Sequence, residues 1–329
     1  MTRAFLVALC VGAVLVVATG CGSDDSASAG SGDKKQTVAL VHGLAGLEYY
    51  NTLVCGAKKA AAETGVNLTV DAPKKYDPTE QTQVIRSVML KKPDGFVIIP
   101  TDAVALNPLF DEVYKQAPLI TVDGIPARDI GIANIRTDGA KGGALGADYM
   151  AKKLGDKKGY VLVLGTTPTT THTVARSKGF IDRMQEINPN VEVSKTQYTG
   201  GSDAAVAARI VANQLQAHPD MVGIFAPFEA AANGASSALA AAKKKDVSLV
   251  GFDASPQQVQ NLRRGVFDAL VVQAPFEQGY SSVKQMAEIL KGDLDKKSVK
   301  YVQYSPVILA SQENMNEPDI KKYLEPGTC

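Results

Sequence analysis

The sequence predicts an α/β protein of two lobes, each built on a doubly wound parallel sheet. Short apolar runs rich in β-branched residues occur without alternation, the pattern of strands buried on both faces of a sheet. They alternate with amphipathic stretches long enough for crossover helices between parallel strands. One sheet holding every run would be unusually large, so two smaller α/β domains are expected.

The predicted strands are residues 38–41, 67–70, 96–99, 119–122, 160–164, 191–193, 221–225, 249–252 and 268–272. The predicted helices are residues 52–64, 78–91, 142–154, 175–187, 204–217, 230–243 and 256–264. In open parallel sheets, ligands bind beyond the carboxyl ends of the strands. A binding site is therefore expected in the loops that follow the strands.

The N-terminus has the features of an export signal. Arg3 precedes an apolar run, 4–18, which is shorter than the roughly 20 residues of a membrane span. The run ends in Ala18-Thr19-Gly20-Cys21, which resembles the bacterial lipobox with Ala18 in place of the usual Leu. Residues 1–20 are therefore assigned to a signal peptide and Cys21 to the lipidated first residue of the mature chain. A plain secretory signal with an incidental Cys21 is the alternative.

A flexible tether is expected over residues 21–35, because residues 22–32 contain no large apolar side chain. This organisation predicts an extracytoplasmic protein that Cys21 anchors to the cell membrane. The 329 residues include 35 Lys plus Arg and 34 Asp plus Glu. A near-neutral chain without a basic cluster argues against a nucleic-acid partner.

Five short motifs occur at the ends of the predicted strands and in the predicted helices. They are Ile99-Pro100-Thr101-Asp102, Gly142-Gly143 with Ala147-Asp148-Tyr149, Arg176 with Gly179-Phe180, Ala217-His218-Pro219-Asp220, and Val250-Gly251-Phe252-Asp253. Their order and spacing resemble the ribose- and galactose-binding family of periplasmic sugar receptors, over nearly all of 38–312. The resemblance implies the type I two-lobed periplasmic binding protein fold with a three-strand hinge. It also implies a monomeric solute-binding lipoprotein that captures a small sugar or sugar alcohol by hinge closure and delivers it to an ABC permease.

The resemblance further implies where the lobes divide. Residues 36–137 with 275–298 would form the N-terminal lobe, and 138–274 with 299–312 the C-terminal lobe. Residues 313–329 would remain as a C-terminal tail. Hinge-like loops at Thr137-Asp138 and Gln273-Ala274 agree with this division.

Ligand-binding positions follow from the resemblance residue by residue. Tyr49 and Tyr50 stand where an aromatic pair packs on the sugar ring, and Asp123 where a carboxylate binds hydroxyls. Further hydrogen bonds would come from the second lobe and the hinge, at Arg176, Asp253, Gln273 and Thr137. These residue types suit a sugar, which offers C–H faces to aromatic rings and vicinal hydroxyls to charged groups.

The remaining expected ligand contacts are Asp102 and Phe228, the latter in place of an Asn usual in the family. The Arg that commonly follows Asp123 is Gly124, and the Asn common in the first loop is absent from 44–48. The pocket has lost polar groups and gained an aromatic ring. Ribose itself is therefore not expected. A ligand with a different hydroxyl pattern is expected instead.

Structural roles are the alternative for several of these residues. Tyr49 and Tyr50 would pack on the sheet, Asp253 would cap a helix, Arg176 would pair with a nearby acid and Phe228 would join the core. The three histidines, His42, His172 and His218, share no metal-ligand spacing and receive structural roles. No metal or cofactor is expected.

No enzyme motif occurs in the sequence. There is no phosphate-binding loop, dinucleotide turn, nucleophile elbow or paired-histidine metal motif. The chain is therefore expected to have no catalytic residues, and a secreted hydrolase is a distant alternative. The nearer alternative is a receptor that reports a signalling molecule or nucleoside to a sensor, and the sequence leaves this alternative open.

Two of the four cysteines are expected to pair. Cys10 lies in the signal and Cys21 would carry lipid, so Cys55 and Cys329 remain in a compartment that permits oxidation. A disulfide would hold the tail on the first lobe, outside the cleft. Two free thiols are the alternative.

Overall fold

Two sheets organise the part of the chain that the structure, a computed structural model, describes: residues 35–102, 104–325 and 329. The expected signal peptide, Cys21 and nearly all of the tether lie outside these residues. The strands are β1 Thr37–Val41, β2 Asn67–Asp71, β3 Gly95–Ile98, β4 Leu119–Val122, β5 Ala133–Thr137, β6 Gly159–Gly165, β7 Val191–Val193, β8 Gln197–Tyr198, β9 Met221–Ala226, β10 Ser248–Phe252, β11 Ala269–Gln273, β12 Val302–Ser305 and β13 Val307–Ser311. The helices are α1 Glu48–Thr64, α2 Pro78–Leu90, α3 Asn107–Gln116, α4 Gly139–Leu154, α5 Thr171–Ile187, α6 Ala204–Ala217, α7 Glu229–Ala241, α8 Pro256–Arg263, α9 Pro275–Lys291 and α10 Pro318–Leu324.

The first sheet has the order β12-β5-β4-β3-β1-β2, and all its pairs are parallel. Val38 and Leu40 pack with α1 and α9, whereas Ala39 and Val41 pack with α2 and α3. Helices therefore cover both faces, which is why β1 is apolar at successive positions instead of alternating.

The second sheet has the order β13-β11-β10-β9-β6-β7, with β8 beside β6. Its pairs are parallel except β13, which runs antiparallel to β11. Helices α4 and α5 cover one face, and α6, α7, α8 and α10 cover the other. Both sheets have the doubly wound form that the sequence predicts.

Glycines in the α4 and α5 motifs allow the two backbones to touch. A Cβ at Gly143 would collide with the Arg176 carbonyl oxygen, and a Cβ at Gly179 with that of Ala140. Helix α5 therefore lies close against α4, and this contact fixes the height at which Arg176 meets the end of the sheet.

The chain crosses between the sheets three times: after Thr137, after Gln273, and at Pro306 between β12 and β13. The assignment of all of 299–312 to the second lobe is wrong for β12, which pairs in parallel with β5 of the first sheet. Proline has no N–H to continue a ladder, so Pro306 separates the two strands. Strands β5 and β12 were missed because their polar residues hide the apolar runs of buried strands.

The C-terminal segment is more ordered than a polar tail. Helix α10 packs on β11 and β13 of the second lobe, where Leu324 is 4% exposed. Cys329 is joined to Cys55 of α1 by a disulfide, with Cα atoms 5.5 Å apart. The expectation that this tail sits on the first lobe alone is therefore wrong, since it contacts both lobes. Among the described residues, no helix is both long and apolar enough to cross a membrane.

Candidate ligand-binding site

A cleft lies between the lobes at the carboxyl ends of both sheets. The residues lining it come from both lobes and are Leu47, Tyr49, Tyr50, Tyr76, Asp123, Thr166, His172, Thr173, Arg176, Ser202, Phe228, Glu229, Asp253 and Gln273. The lobes also touch directly, because the Ile125 N–H donates to Thr171 Oγ1 (3.0 Å) and that hydroxyl donates to the Ile125 carbonyl (2.9 Å). The structure therefore shows a closed cleft.

Two helices direct their first turns at this cleft. Helix α1 begins at Glu48 and α5 at Thr171, each four residues before the start that the sequence pattern predicts. These extra residues bring Tyr49 and His172 to the cleft wall. The apolar periodicity missed them because both residues line the cleft, although Tyr49 also packs at the edge of the first-lobe core.

Asp123 and Asp253 occupy equivalent places in the two lobes. They follow β4 and β10, and their backbone φ angles of 59° and 75° lie in the left-handed region. Each N–H donates over 2.9 Å to the neighbouring strand, at the carbonyls of Ile135 and Val271 respectively. Such backbone strain in non-glycine residues is uncommon and concentrates at functional sites. It places one carboxylate from each lobe at the cleft.

Arg176 is the central cation of the cleft and is 2% exposed. Its guanidinium donates to Gln273 Oε1 (2.9 Å), to the Pro227 carbonyl (3.0 Å) and to Asp123 Oδ1 (3.4 Å). It also lies 4.1 Å from the centre of the Phe252 ring. Because Asp123 belongs to the first lobe, this ion pair bridges the lobes. Its Nε is buried without a hydrogen-bond partner in the described chain.

Gln273 connects this arginine with the second carboxylate and with the hinge. Its Nε2 donates to Asp253 Oδ1 (2.5 Å), and its Oε1 accepts from the Thr137 hydroxyl (2.7 Å). Asp253 Oδ2 accepts from the N–H of Glu229, so Asp253 caps α7, while Ser255 caps the nearer α8. Burial raises the pKa of Asp253, and the charge of Arg176 opposes that rise.

Gln278 organises the hinge, and the sequence did not single it out. Its buried Nε2 donates to the hydroxyls of Thr137 (3.0 Å) and Ser305 (2.7 Å), which precede the first and third crossings. Its Oε1 accepts from the Tyr49 hydroxyl (2.5 Å). A polar residue in an amphipathic stretch looks exposed in sequence, whereas here it joins the hinge to the cleft.

Aromatic rings form the other side of the cleft. Tyr49 and Tyr50 meet edge to face with ring centres 5.2 Å apart, and Phe228 is 7% exposed. Burial raises the pKa of Tyr49, Tyr50 and Tyr76 well above the ordinary value of 10, so all three phenols stay protonated. Within the described ranges the buried Tyr76 hydroxyl has no hydrogen-bond partner. Phe228 lines the cleft and also packs with the second-lobe core.

His172 and Glu229 are further cleft residues that the sequence did not identify as ligand contacts. His172 Nε2 lies 3.9 Å from Asp123 Oδ2, and burial lowers its pKa to about 4, so the ring is neutral near pH 7. The structure places His172 in the cleft wall, whereas the sequence assigned it a structural role. Burial and then the neighbouring Asp253 raise the pKa of Glu229 to about 7. Its Oε2 is buried, and no described residue bonds to it.

Asp102 is not among the residues that line the cleft. Its Oδ1 accepts from the N–H groups of Val104 and Ala105 (2.8 Å each), so it caps the turn before α3. The structure therefore does not bring Asp102 together with the other expected ligand contacts. Gly124 stands against Pro100, where a larger side chain would collide. The other two histidines stack on rings, His42 on Tyr50 and His218 on Tyr160.

Two α/β lobes, joined by three crossings around a buried cleft of carboxylates, an arginine and aromatic rings, define a periplasmic binding protein of type I architecture. The chain belongs to the periplasmic binding protein domain family, whose model matches residues 38–294. The family and fold expected from the sequence are thereby confirmed. No group of three or more Cys, His, Asp or Glu in the described residues is arranged to hold a metal.

Relatives of known function are sugar-binding proteins. The ribose import binding protein of Escherichia coli strain K12 is 29% identical over 268 residues, which cover 81% of this chain and 88% of that protein. Among solved structures, an ABC transporter solute-binding protein from Agrobacterium vitis, bound with α-D-tagatopyranose, is 28% identical with a TM-score of 0.82. A carbohydrate transporter solute-binding protein from Agrobacterium radiobacter, in complex with D-arabinose, is 27% identical with a TM-score of 0.83. Both alignments cover 88% of this chain and 99% of the other.

Proposed function

We propose that the chain is the extracytoplasmic solute-binding component of an ABC importer, and that it binds a small sugar or sugar alcohol in the cleft. One observation carries this proposal: Tyr76, Arg176 and Glu229 each bury a polar atom at the cleft that no described residue bonds. An unpaired buried polar group costs about 1–3 kcal/mol. A polyhydroxylated ligand offers donors and acceptors to satisfy all three.

The chemistry of the cleft suits such a ligand. Arg176 Nε donates to a hydroxyl oxygen, while the carboxylates of Asp123 and Asp253 accept from hydroxyl hydrogens. Neutral His172 is able to donate from one ring nitrogen and accept at the other. The rings of Tyr49 and Phe228 offer apolar faces to the C–H groups of a sugar.

Binding is coupled to closure through residues shared by cleft and hinge. Gln273 contacts Arg176 and Asp253 on one side and Thr137 on the other, and Gln278 extends this network to Tyr49. A ligand that contacts both lobes binds the closed state better than the open one, and so shifts the population toward closure.

The relatives support the ligand class without identifying the ligand. They are named for, or bound to, ribose, tagatose and arabinose. Here Gly124 contributes no side chain beside Asp123, and Phe228 adds a ring. We therefore propose a sugar or polyol other than ribose.

The test is a thermal-shift screen of the unlipidated chain against pentoses, hexoses, polyols and nucleosides, followed by calorimetry. A ligand at 100 times its Kd stabilises the folded state by about 2.7 kcal/mol. A saturable shift with a sugar or polyol, recovered chemically unchanged, is expected. A shift with nucleosides alone would favour the signalling-receptor alternative, and turnover of the sugar would favour a hydrolase.

We also propose that Cys21 carries lipid and anchors a monomer beside its permease. The lipobox-like Ala18-Thr19-Gly20-Cys21 and the apolar run before it support this anchor. Cys21→Ser should move the protein from the membrane fraction to the soluble fraction, whereas Cys55→Ser should not. Equal membrane retention of the Cys21→Ser variant would contradict the anchor.

A further inference from the structure

Two hydrogen bonds join the lobes outside the cleft, and both involve the Thr171 hydroxyl. This hydroxyl accepts from the Ile125 N–H (3.0 Å) and donates to the Ile125 carbonyl (2.9 Å). Ile125 lies in the loop after β4 of the first lobe, whereas Thr171 is the first residue of α5 in the second. Neither is among the described residues that line the cleft. The contact therefore joins the lobes without taking part in the cleft wall.

Local sequence leaves both partners free for this contact. Pro126 keeps the preceding Ile125 in extended backbone, out of any helical turn. In the described chain, the N–H and carbonyl of Ile125 bond to no backbone group, and the Thr171 hydroxyl has no partner in its own lobe. When the lobes separate, these groups exchange their protein partners for water. The two bonds therefore exist only in the closed state.

The contact lies beside the residues that bridge the cleft. In the first lobe, Ile125 follows Asp123 by two residues. In the second, Thr171 precedes His172 and lies five residues before Arg176. Asp123 stands 3.4 Å from Arg176 and 3.9 Å from His172, farther than the roughly 2.7–2.9 Å of a charge-assisted hydrogen bond. The bonds of Thr171 have ordinary lengths, so they are the better-formed contact between the lobes here.

We propose that Thr171 is a positioning residue whose hydroxyl latches the lobes closed and holds Asp123 at its distance from Arg176. The latch is the pair of hydrogen bonds between Thr171 and Ile125. It consists of protein groups only, so it acts with or without a ligand. A net hydrogen bond shifts an equilibrium by roughly two- to twelvefold, so both together favour closure by roughly 5- to 150-fold.

The latch would set affinity without contacting the ligand. The apparent Kd rises as the binding-competent fraction of the free protein falls. Thr171→Val removes the hydroxyl and keeps the branched shape, so it should raise Kd by up to the same factor, and Thr171→Ser should restore the affinity. This consequence for Kd rests on the proposed function, whereas closure of the ligand-free chain does not.

Hydrogen exchange of one backbone amide tests the latch in the ligand-free Cys21→Ser chain. The Ile125 N–H is protected only in closed molecules, because its partner among the described residues lies in the other lobe. The Asp123 N–H, which bonds to the Ile135 carbonyl within the first lobe, is the internal reference. By NMR, the Ile125 amide should exchange more than about tenfold more slowly than a free peptide amide. Thr171→Val should bring it close to the free rate while Asp123 stays protected.

Spin labels measure whether the lobes open as a whole. Labels at the exposed positions Lys74→Cys in the first lobe and Lys195→Cys in the second should lie farther apart in Thr171→Val than in the chain with Thr171. Thr171→Ser keeps the hydroxyl, and Thr169→Val changes an exposed threonine whose hydroxyl contact stays within its own loop. Both of these variants should match the chain with Thr171.

An Ile125 amide that exchanges in the natural protein as fast as a free peptide would overturn the latch, and this measurement needs no variant. Lost protection in Thr171→Val with unchanged label distances would also overturn it, because the hydroxyl would then only cover one amide. Since no sugar is present, a failed sugar screen leaves this result interpretable. A failed latch leaves the proposed ligand class intact.

Discussion

Replacing Arg176 with alanine should weaken ligand binding and lower the stability of the fold, by different amounts. The side chain is 2% exposed and makes three hydrogen bonds, one of them across the lobes to Asp123. A hydrogen bond from a charged group contributes about 1.5–3 kcal/mol, so losing one to the ligand should raise Kd by roughly 10- to 150-fold. Removing one partner of a buried ion pair costs about 3–5 kcal/mol of unfolding free energy.

The stability loss should depend on pH. Burial already raises the pKa of Asp253, and the nearby positive charge of Arg176 restrains that rise. Without Arg176 the folded-state pKa rises further. The stability that protonated Asp253 contributes is present at low pH and is lost as pH rises through that value. The deficit in unfolding free energy of Arg176→Ala relative to the natural protein should therefore shrink as pH falls from about 7 to about 5.

Calorimetry and urea unfolding measure the two effects. Arg183→Ala is the matched control, because Arg183 lies on the same helix but its side chain is 36% exposed, with Asp148 and Glu186 as partners. That control should change the unfolding free energy by less than about 1 kcal/mol and leave Kd unchanged. If Arg176→Ala kept its affinity while remaining folded, the role of Arg176 in binding would be refuted. A deficit that stayed constant with pH would refute the electrostatic account.

The other predictions concern three residues. Burial and Asp253 raise the pKa of Glu229 from 4.5 to about 7, so its stabilising contribution is full below about pH 4.5 and is lost as pH rises through about 7. In urea unfolding, the unfolding free energy of Glu229→Gln relative to that of the natural protein should therefore rise by about 1–2 kcal/mol from about pH 5 to about pH 8.5. This figure is reduced to allow for the partial exposure of the carboxyl group, and a difference that does not change with pH would contradict it. Gln278→Leu strands polar groups at the hinge and should cost roughly 2–4 kcal/mol of unfolding free energy; a loss under 1 kcal/mol would show that water replaces the amide. Asp102→Ala removes a turn cap and should cost about 1 kcal/mol of stability with Kd unchanged in calorimetry, whereas a tenfold weaker Kd would return Asp102 to the binding site.

Local pattern was sufficient for the fold and for residues that stand directly after strands. The run Val38 to Val41 predicts a strand covered on both faces, and such strands alternating with helices leave a doubly wound sheet as the expected solution. Asp123 and Asp253 follow runs of this kind, so their position at the carboxyl edge was readable without coordinates. Arg176 and Gln273 depended on the family resemblance, since their types and spacing alone did not separate ligand contacts from structural pairs.

Tertiary structure decided the residues whose roles come from distant partners. Gln278 joins Thr137 and Ser305, which are 141 and 27 residues away in the chain, and no local pattern encodes those hydrogen bonds. Glu229 became notable only when folding buried it beside Asp253, because a pKa depends on desolvation and neighbouring charge.

The pairing of Cys55 with Cys329 was expected from the sequence by elimination, as a tie on one lobe. That it connects two lobes depends on Leu324, which folding buries in the second-lobe core. Sequence by itself determined which chemical groups were available, and it predicted many of the strands and helices. Only the packed structure decided which groups share one buried cleft and which lobe each segment joins, because burial and partnership are properties of surfaces that meet after the chain has folded.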